Sequence, residues 1–177
     1  PCINKIAFTG STSVGREIGA KAGRDLKRVT LELGGKSPNI IFEDADLKGA
    51  IGGSFQGIYF NTGQACNAGS RLFVQSDLYE EVTGQLAEMA AGASVGAGLA
   101  KGTVFGPVVS QTQFERVNDY IKSGIEEGAE VIAGGPAERE NGGYFIRPTL
   151  FTGVEPEMRI SREEIFGPVL VATPFDD

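Results

Sequence analysis

The stretch FNTGQACNAGSRLFVQ, residues 60–75, sets Cys66 among small and polar residues and follows it at once with Arg71 and a strand-like Leu72-Phe73-Val74. A thiolate, not a thiol, is the nucleophile, and it needs positive potential or backbone N–H donors close by. Gly63, Ala65, Asn67, Ala68 and Gly69 are small enough to let backbone and substrate approach the sulfur, a setting suited to attack on a carbonyl. Free cysteines are more often buried core side chains, yet here both flanks are polar and Gly-rich where a core sulfur would sit in an apolar stripe. The chain has no histidine, which removes a Cys–His pair and any imidazole base. A base within this chain must be a carboxylate or a lysine.

Glu32 is the first candidate for that base. In RVTLELGGK, Val29, Leu31 and Leu33 alternate with Thr30 and Glu32, so the carboxylate points away from the apolar side of a strand and meets a Gly34-Gly35 break that could open a site around it. A solvated strand residue is the plainer alternative. FTGSTSVG places Gly10 and Ser11 in a turn between strand and helix, where free N–H groups and the helix dipole favour phosphate oxygens. It lacks the full GxGxxG pattern, so an ordinary β-α turn is equally open. EEIFGPVLV sets Glu163 and Glu164 before Phe166 and a Gly-Pro turn, for which a surface turn is the simple reading.

The elements that must position these residues alternate. KIAFTG reads as a strand and STSVGREIGAKAG as a helix behind a Ser/Thr cap, with Val14, Ile18 and Ala22 at helical spacing. RVTLE and the run Ile40-Ile41-Phe42 read as strands. DADLKGAIGGSFQGIYF has an Asp cap and apolar residues at 47, 50, 51, 55 and 58, a helix that delivers the chain to a Gly-rich loop holding Cys66. RLFVQ is a strand, and DLYEEVTGQLAEMAAG a helix with Leu78, Val82, Leu86 and Met89 inward. TQFERVNDYIKSGIEEG repeats the pattern with Phe114, Val117, Ile121 and Ile125, and EVIAG, YFIRPTLF and PVLVATPF close the series as strands. This order predicts an α/β fold with a largely parallel sheet flanked by helices, and any domain boundary near Arg28 to Gly35.

The bulk numbers narrow the partners. A length of 177 residues with 41% hydrophobic composition suffices for a core of ordinary size. Net charge is −7 and the 16 Lys and Arg are scattered, which argues against nucleic acid. Apolar runs are far too short for a membrane span and the opening PCINKIAF has no signal-peptide pattern, so a soluble, reduced compartment, the cytoplasm, is expected. Cys2 and Cys66, without CxxC spacing, make neither a disulfide framework nor a metal site. The start at Pro1 and the stop just after PVLVATPF read as a piece of a longer protein.

Taken together, LELGGKSP (31–38), FNTGQACNAGSR (60–71), FTGSTSVG, GPVVS, GYFIRPTL and EEIFGPVL resemble segments of the aldehyde dehydrogenase superfamily in the expected order. The resemblance covers nearly the whole chain. It implies that residues 1–30 are the C-terminal part of a Rossmann-like dinucleotide-binding domain and 31–177 a catalytic domain truncated at its C-terminal end. It implies that Cys66 attacks an aldehyde, that hydride passes to NAD or NADP, and that Glu32 activates the water that hydrolyses the thioester. The Cys66 N–H would supply part of an oxyanion hole whose usual partner, an asparagine, falls upstream. Gly10 and Ser11 match the turn against the cofactor pyrophosphate, Glu164 the carboxylate on the nicotinamide ribose and Phe166 the aromatic beside it. A homo-oligomer, dimer or tetramer, is implied for the full-length protein, and the isolated piece is expected to be inactive. Two alternatives stay open: a coenzyme A-acylating or reductive relative, which does not need a water-activating glutamate, and a non-catalytic scaffold or inactive partial product.

Overall fold

The computed structural model describes residues 2–139 and 142–176. The chain divides into two compact units, 1–35 and 36–177, so the division falls between Gly35 and Lys36.

In the first unit, β1 (Lys5–Thr9) and β2 (Arg28–Glu32) pair in parallel, with Thr9 opposite Glu32. Between them runs α1 (Thr12–Arg24), capped by Ser11, whose Oγ accepts from the Val14 N–H at 3.4 Å. The inward face of α1 keeps two of the three expected residues: Ala22 is buried and Ile18 half-buried, but Val14 is exposed and its neighbour Gly15 is buried in its place. A Cβ on Gly15 would lie 2.3 Å from the Leu33 side chain, so the glycine is what admits leucine from the strand side.

The second unit is a five-stranded sheet in the order β3-β4-β7-β6-β5, made of β3 (Pro38–Ile41), β4 (Arg71–Gln75), β5 (Glu130–Ala133), β6 (Thr149–Thr152) and β7 (Val169–Phe175). All neighbours are parallel except β5 and β6. Helices α2 (Leu47–Tyr59), α3 (Ser76–Gly92), α4 (Gln111–Glu126) and the short α5 (Arg159–Arg162) cover it. Side chains alternate across a strand, and β7 shows the result. Leu170 and Ala172 pack with Ile51, Phe55, Ile58, Val82 and Leu86 of α2 and α3. Val169 and Val171 pack with Phe114, Val117, Ile121 and Ile160 of α4 and α5. A strand covered on both faces must be apolar at every position, which is why Val-Leu-Val-Ala runs unbroken.

Three local expectations are corrected. Met89 and Ile125 are exposed, at 40% and 44%, while Ala90 and Gly124 take the inward positions. At Gly124 a Cβ would already sit 2.7 Å from Ile160, so bulk there is excluded and the helix phase is set by the small residue. The strand expected over YFIRPTLF is confined to Thr149–Thr152, where Pro148, which lacks an N–H for the ladder, immediately precedes it.

Candidate active site

The cysteine loop begins where α2 stops. Asn61, Thr62 and Gly63 all have left-handed backbone, with φ of 51°, 58° and 69°. For Thr62, a β-branched residue, this conformation costs on the order of 1–3 kcal/mol and persists only where neighbours enforce it. They do. Thr62 Oγ1 donates to the Gly106 carbonyl at 3.3 Å, Asn61 Nδ2 donates to the Gln64 carbonyl at 3.1 Å, and Gln64 Oε1 accepts from the Val109 N–H at 3.0 Å. Beyond this knot Cys66 is exposed, which removes the alternative of a sealed core thiol. Among the described residues its main-chain N–H makes no hydrogen bond within the chain. A cleft of about 630 Å³ takes in the residues on either side of it, Ala65 and Asn67, and continues along α2 past Gly53, Ser54 and Gly57.

The Glu164–Pro168 turn is built against that loop. Ile165 is buried in the α4 side of the core and Gly167 is buried as well, while Phe166 between them points outward at 36% exposure. Reversing the chain over so few residues puts Phe166 at φ 62°, an outlier for a bulky aromatic. Helix α4 holds the turn by its carbonyls. Arg116 Nη2 donates to the Glu164 carbonyl at 2.6 Å and Arg116 Nε to that of Ile165 at 3.4 Å; Gln113 Nε2 donates to Ile165 at 3.1 Å and to Phe166 at 2.7 Å. A hydrogen bond from a charged donor contributes about 1.5–3 kcal/mol, enough to offset a left-handed residue. Tyr120 braces the arrangement from below. Its hydroxyl donates to Glu163 Oε2 at 2.7 Å, and Arg159 donates to the same oxygen at 3.2 Å. The Tyr120 hydrogen bond and Arg159 hold the Glu163 carboxyl below its ordinary range.

Lys36 lies in this neighbourhood as well. Its main-chain carbonyl accepts from Arg71 Nε at 2.8 Å, but its buried ammonium has no hydrogen-bond partner among the described residues. Burial, and then the Arg71 charge, lower its pKa to about 8, with Glu164 and Glu163 pulling the other way.

In the first unit, Glu32 ends β2 and is exposed, on the strand face opposite Leu31. The Gly10 N–H donates to its main-chain carbonyl at 3.0 Å, so that N–H is already engaged and not free for a phosphate. What Gly10 supplies is steric. A Cβ there would meet the Phe8 ring at 2.5 Å. The N–H groups left to an anion are those at the start of α1, whose first turn carries no acidic residue.

The structure thus brings Cys66's loop together with the turn carrying Glu164 and Phe166, and Gly10 together with Glu32. Gln113, Arg116 and Lys36 were not singled out from the sequence. Arg116 follows Gln113 by one helical turn, but spacing on a polar helix edge looks the same for a solvated pair. The larger cleft, about 900 Å³ and lined by Gly134, Gly135 and Arg147 among others, contains no residue of the cysteine loop. Among the described residues there is no group of His, Cys, Asp and Glu that could hold a metal, and no helix long and apolar enough to cross a membrane.

Comparison with known proteins agrees with this fold. The chain is 53% identical over 174 residues to a putative aldehyde dehydrogenase, DhaS, of Bacillus subtilis, covering 98% of this chain and 35% of that protein. It is 49% identical to the phenylacetaldehyde dehydrogenase of Pseudomonas fluorescens, over 100% of this chain and 36% of the relative. The NAD+ complex of an aldehyde dehydrogenase from Bacillus cereus matches the fold with a TM-score of 0.96 at 55% identity, over 99% of this chain and 35% of that one. The chain therefore spans about a third of the length of these relatives. The model of the aldehyde dehydrogenase family matches residues 1–177 throughout, and it is to that family that the chain belongs.

Proposed function

We propose that this chain is the cysteine-bearing third of an enzyme that oxidises an aldehyde to a carboxylic acid with NAD or NADP, through a thioester on Cys66. The observation that carries the reading is an exposed thiol with an unengaged N–H, on a strained loop packed against the Glu164–Pro168 turn.

The Cys66 thiolate attacks the aldehyde carbon. A C–S bond forms and the carbonyl oxygen takes the negative charge, facing the Cys66 N–H, a contact whose loss typically costs about 3 kcal/mol in the barrier. A bound oxidised nicotinamide would supply the acceptor for the hydride, one proton with two electrons, that leaves this carbon. The product of that step on Cys66 is a thioester. Glu32 takes a proton from water, the resulting hydroxide adds to the thioester carbon, and C–S cleavage releases the acid and restores the thiolate. The residues present fit a nicotinamide cofactor: the Glu164 carboxylate accepts from ribose hydroxyls, the exposed Phe166 ring offers an apolar face, and Ser11 with the start of α1 faces the pyrophosphate.

Glu32 favours hydrolysis over transfer to coenzyme A or reduction, since neither of those needs a water-activating carboxylate. The two free thiols, the exposed Ile40 in β3 and the exposed Phe42 just after it are in keeping with a cytoplasmic enzyme whose apolar surface is covered in a dimer or tetramer. Because the chain spans about a third of its relatives, we infer that alone it does not turn over; reduced cofactor formed by the purified 177-residue chain would contradict this. In the complete enzyme, acid quenching during turnover should leave an acyl mass on the peptide containing Cys66, and Cys66→Ala should abolish both adduct and cofactor reduction. Turnover persisting in Cys66→Ala would refute the reading.

A further inference from the structure

Three consecutive main-chain carbonyls, those of Glu164, Ile165 and Phe166, are all held by two side chains of one helix. Gln113 and Arg116 stand one turn apart on α4, and Phe114 and Val117, their neighbours in sequence, are buried in the core. The two donors are therefore fixed to a rigid base. The carbonyls they hold belong to a turn with Phe166 at φ 62°, a conformation an unrestrained phenylalanine leaves. On its other side the turn meets the Gly63 backbone, where a Cβ would fall 2.0 Å from the Gly167 oxygen. That contact limits outward movement without directing Phe166.

We propose that Gln113 and Arg116 form a carbonyl clamp that keeps residues 164–166 in the conformation presenting Glu164 and Phe166 to the cofactor. They are positioning residues for the reaction: they grip main chain, and through it aim a carboxylate and a ring. The Arg116 guanidinium is further steadied against Tyr120, with its carbon 5.1 Å from the ring centroid and Nη2 3.3 Å from the hydroxyl. The inference rests on the proposed cofactor roles of Glu164 and Phe166.

Gln113→Glu in the complete enzyme tests it, since it keeps the shape of the side chain but replaces a donor to two carbonyls with an acceptor. Without cofactor, amide exchange in segment 163–169 is expected to rise about tenfold, with exchange in the body of α4 unchanged. With cofactor, KM for the oxidised nucleotide is expected to rise about tenfold, while alkylation of Cys66 in the free enzyme keeps its rate. Arg116→Met should act in the same direction, and Arg116→Lys, which restores one charged donor, should recover part of the loss. Unchanged exchange in both Gln113→Glu and Arg116→Met would overturn the clamp. Faster exchange with unaltered cofactor KM would overturn its positioning role. A wild-type enzyme that reduces neither NAD nor NADP would overturn the reading on which the proposal rests, and is told apart because the exchange experiment needs no cofactor.

Discussion

The backbone of Gly63 passes so close to that of Gly167 that a Cβ on Gly63 would meet the Gly167 carbonyl oxygen at 2.0 Å and the Pro168 nitrogen at 2.8 Å. The loop that carries Cys66 and the turn that carries Glu164 and Phe166 are thus joined main chain to main chain. With φ at 69° as well, the position excludes any side chain on two counts. Gly63→Ala is expected to destabilise the fold by about 2–4 kcal/mol and to change the alkylation rate of Cys66. Urea denaturation and a thiol-labelling time course check both.

Lys36 should make stability depend on pH in the alkaline range. Its ammonium titrates near 10.5 when unfolded and near 8 when folded. Below about pH 8 both states carry the proton and the cost of burying the charge is present in full. As pH rises from there toward 10.5 the unfolded chain binds more protons, so stability increases. Tyr79, raised by burial to about 12, pulls the opposite way above its ordinary value near 10. The diagnostic is therefore the difference between wild type and Lys36→Met: the gap in melting temperature should narrow from pH 8 to 10. A constant gap would contradict it.

Tyr59 is fully buried and its hydroxyl donates to the Thr149 carbonyl at 3.0 Å, tying the last residue of α2 to β6. Tyr59→Phe leaves that carbonyl buried without its donor and is expected to cost about 1–3 kcal/mol, measured as a shift in the urea midpoint at constant slope. Burial raises the Tyr59 pKa strongly, so the loss should be the same from pH 6 to 9.

Much of this was legible in the sequence because the elements obey simple periods. Leu72 and Val74 alternate inward on β4, and Val117 and Ile121 repeat along α4, as the pattern requires. Residue type and setting drew attention to Cys66 and Glu32, and resemblance to a known family then attached roles to them and to Glu164 and Phe166. What stayed hidden was set by tertiary contacts that leave no local trace. Val14 faces out because Gly15 admits Leu33, and Ile125 faces out because Gly124 touches Ile160. Gln113 and Arg116 read as solvated polar residues until the fold brings the Glu164–Phe166 carbonyls to them. The hydrogen bond from the Gly10 N–H to the Glu32 carbonyl is another such contact without a local trace.

In the proposed reaction a thiol, Cys66, bonds the substrate and a carboxylate, Glu32, frees it. Rapid mixing of the complete Glu32→Gln enzyme with aldehyde and oxidised cofactor measures this most directly. The expected trace is one burst of reduced cofactor, about one equivalent per active site, followed by a stall while the acyl group remains on Cys66. Steady turnover at the wild-type rate, with no acyl group accumulating, would contradict it.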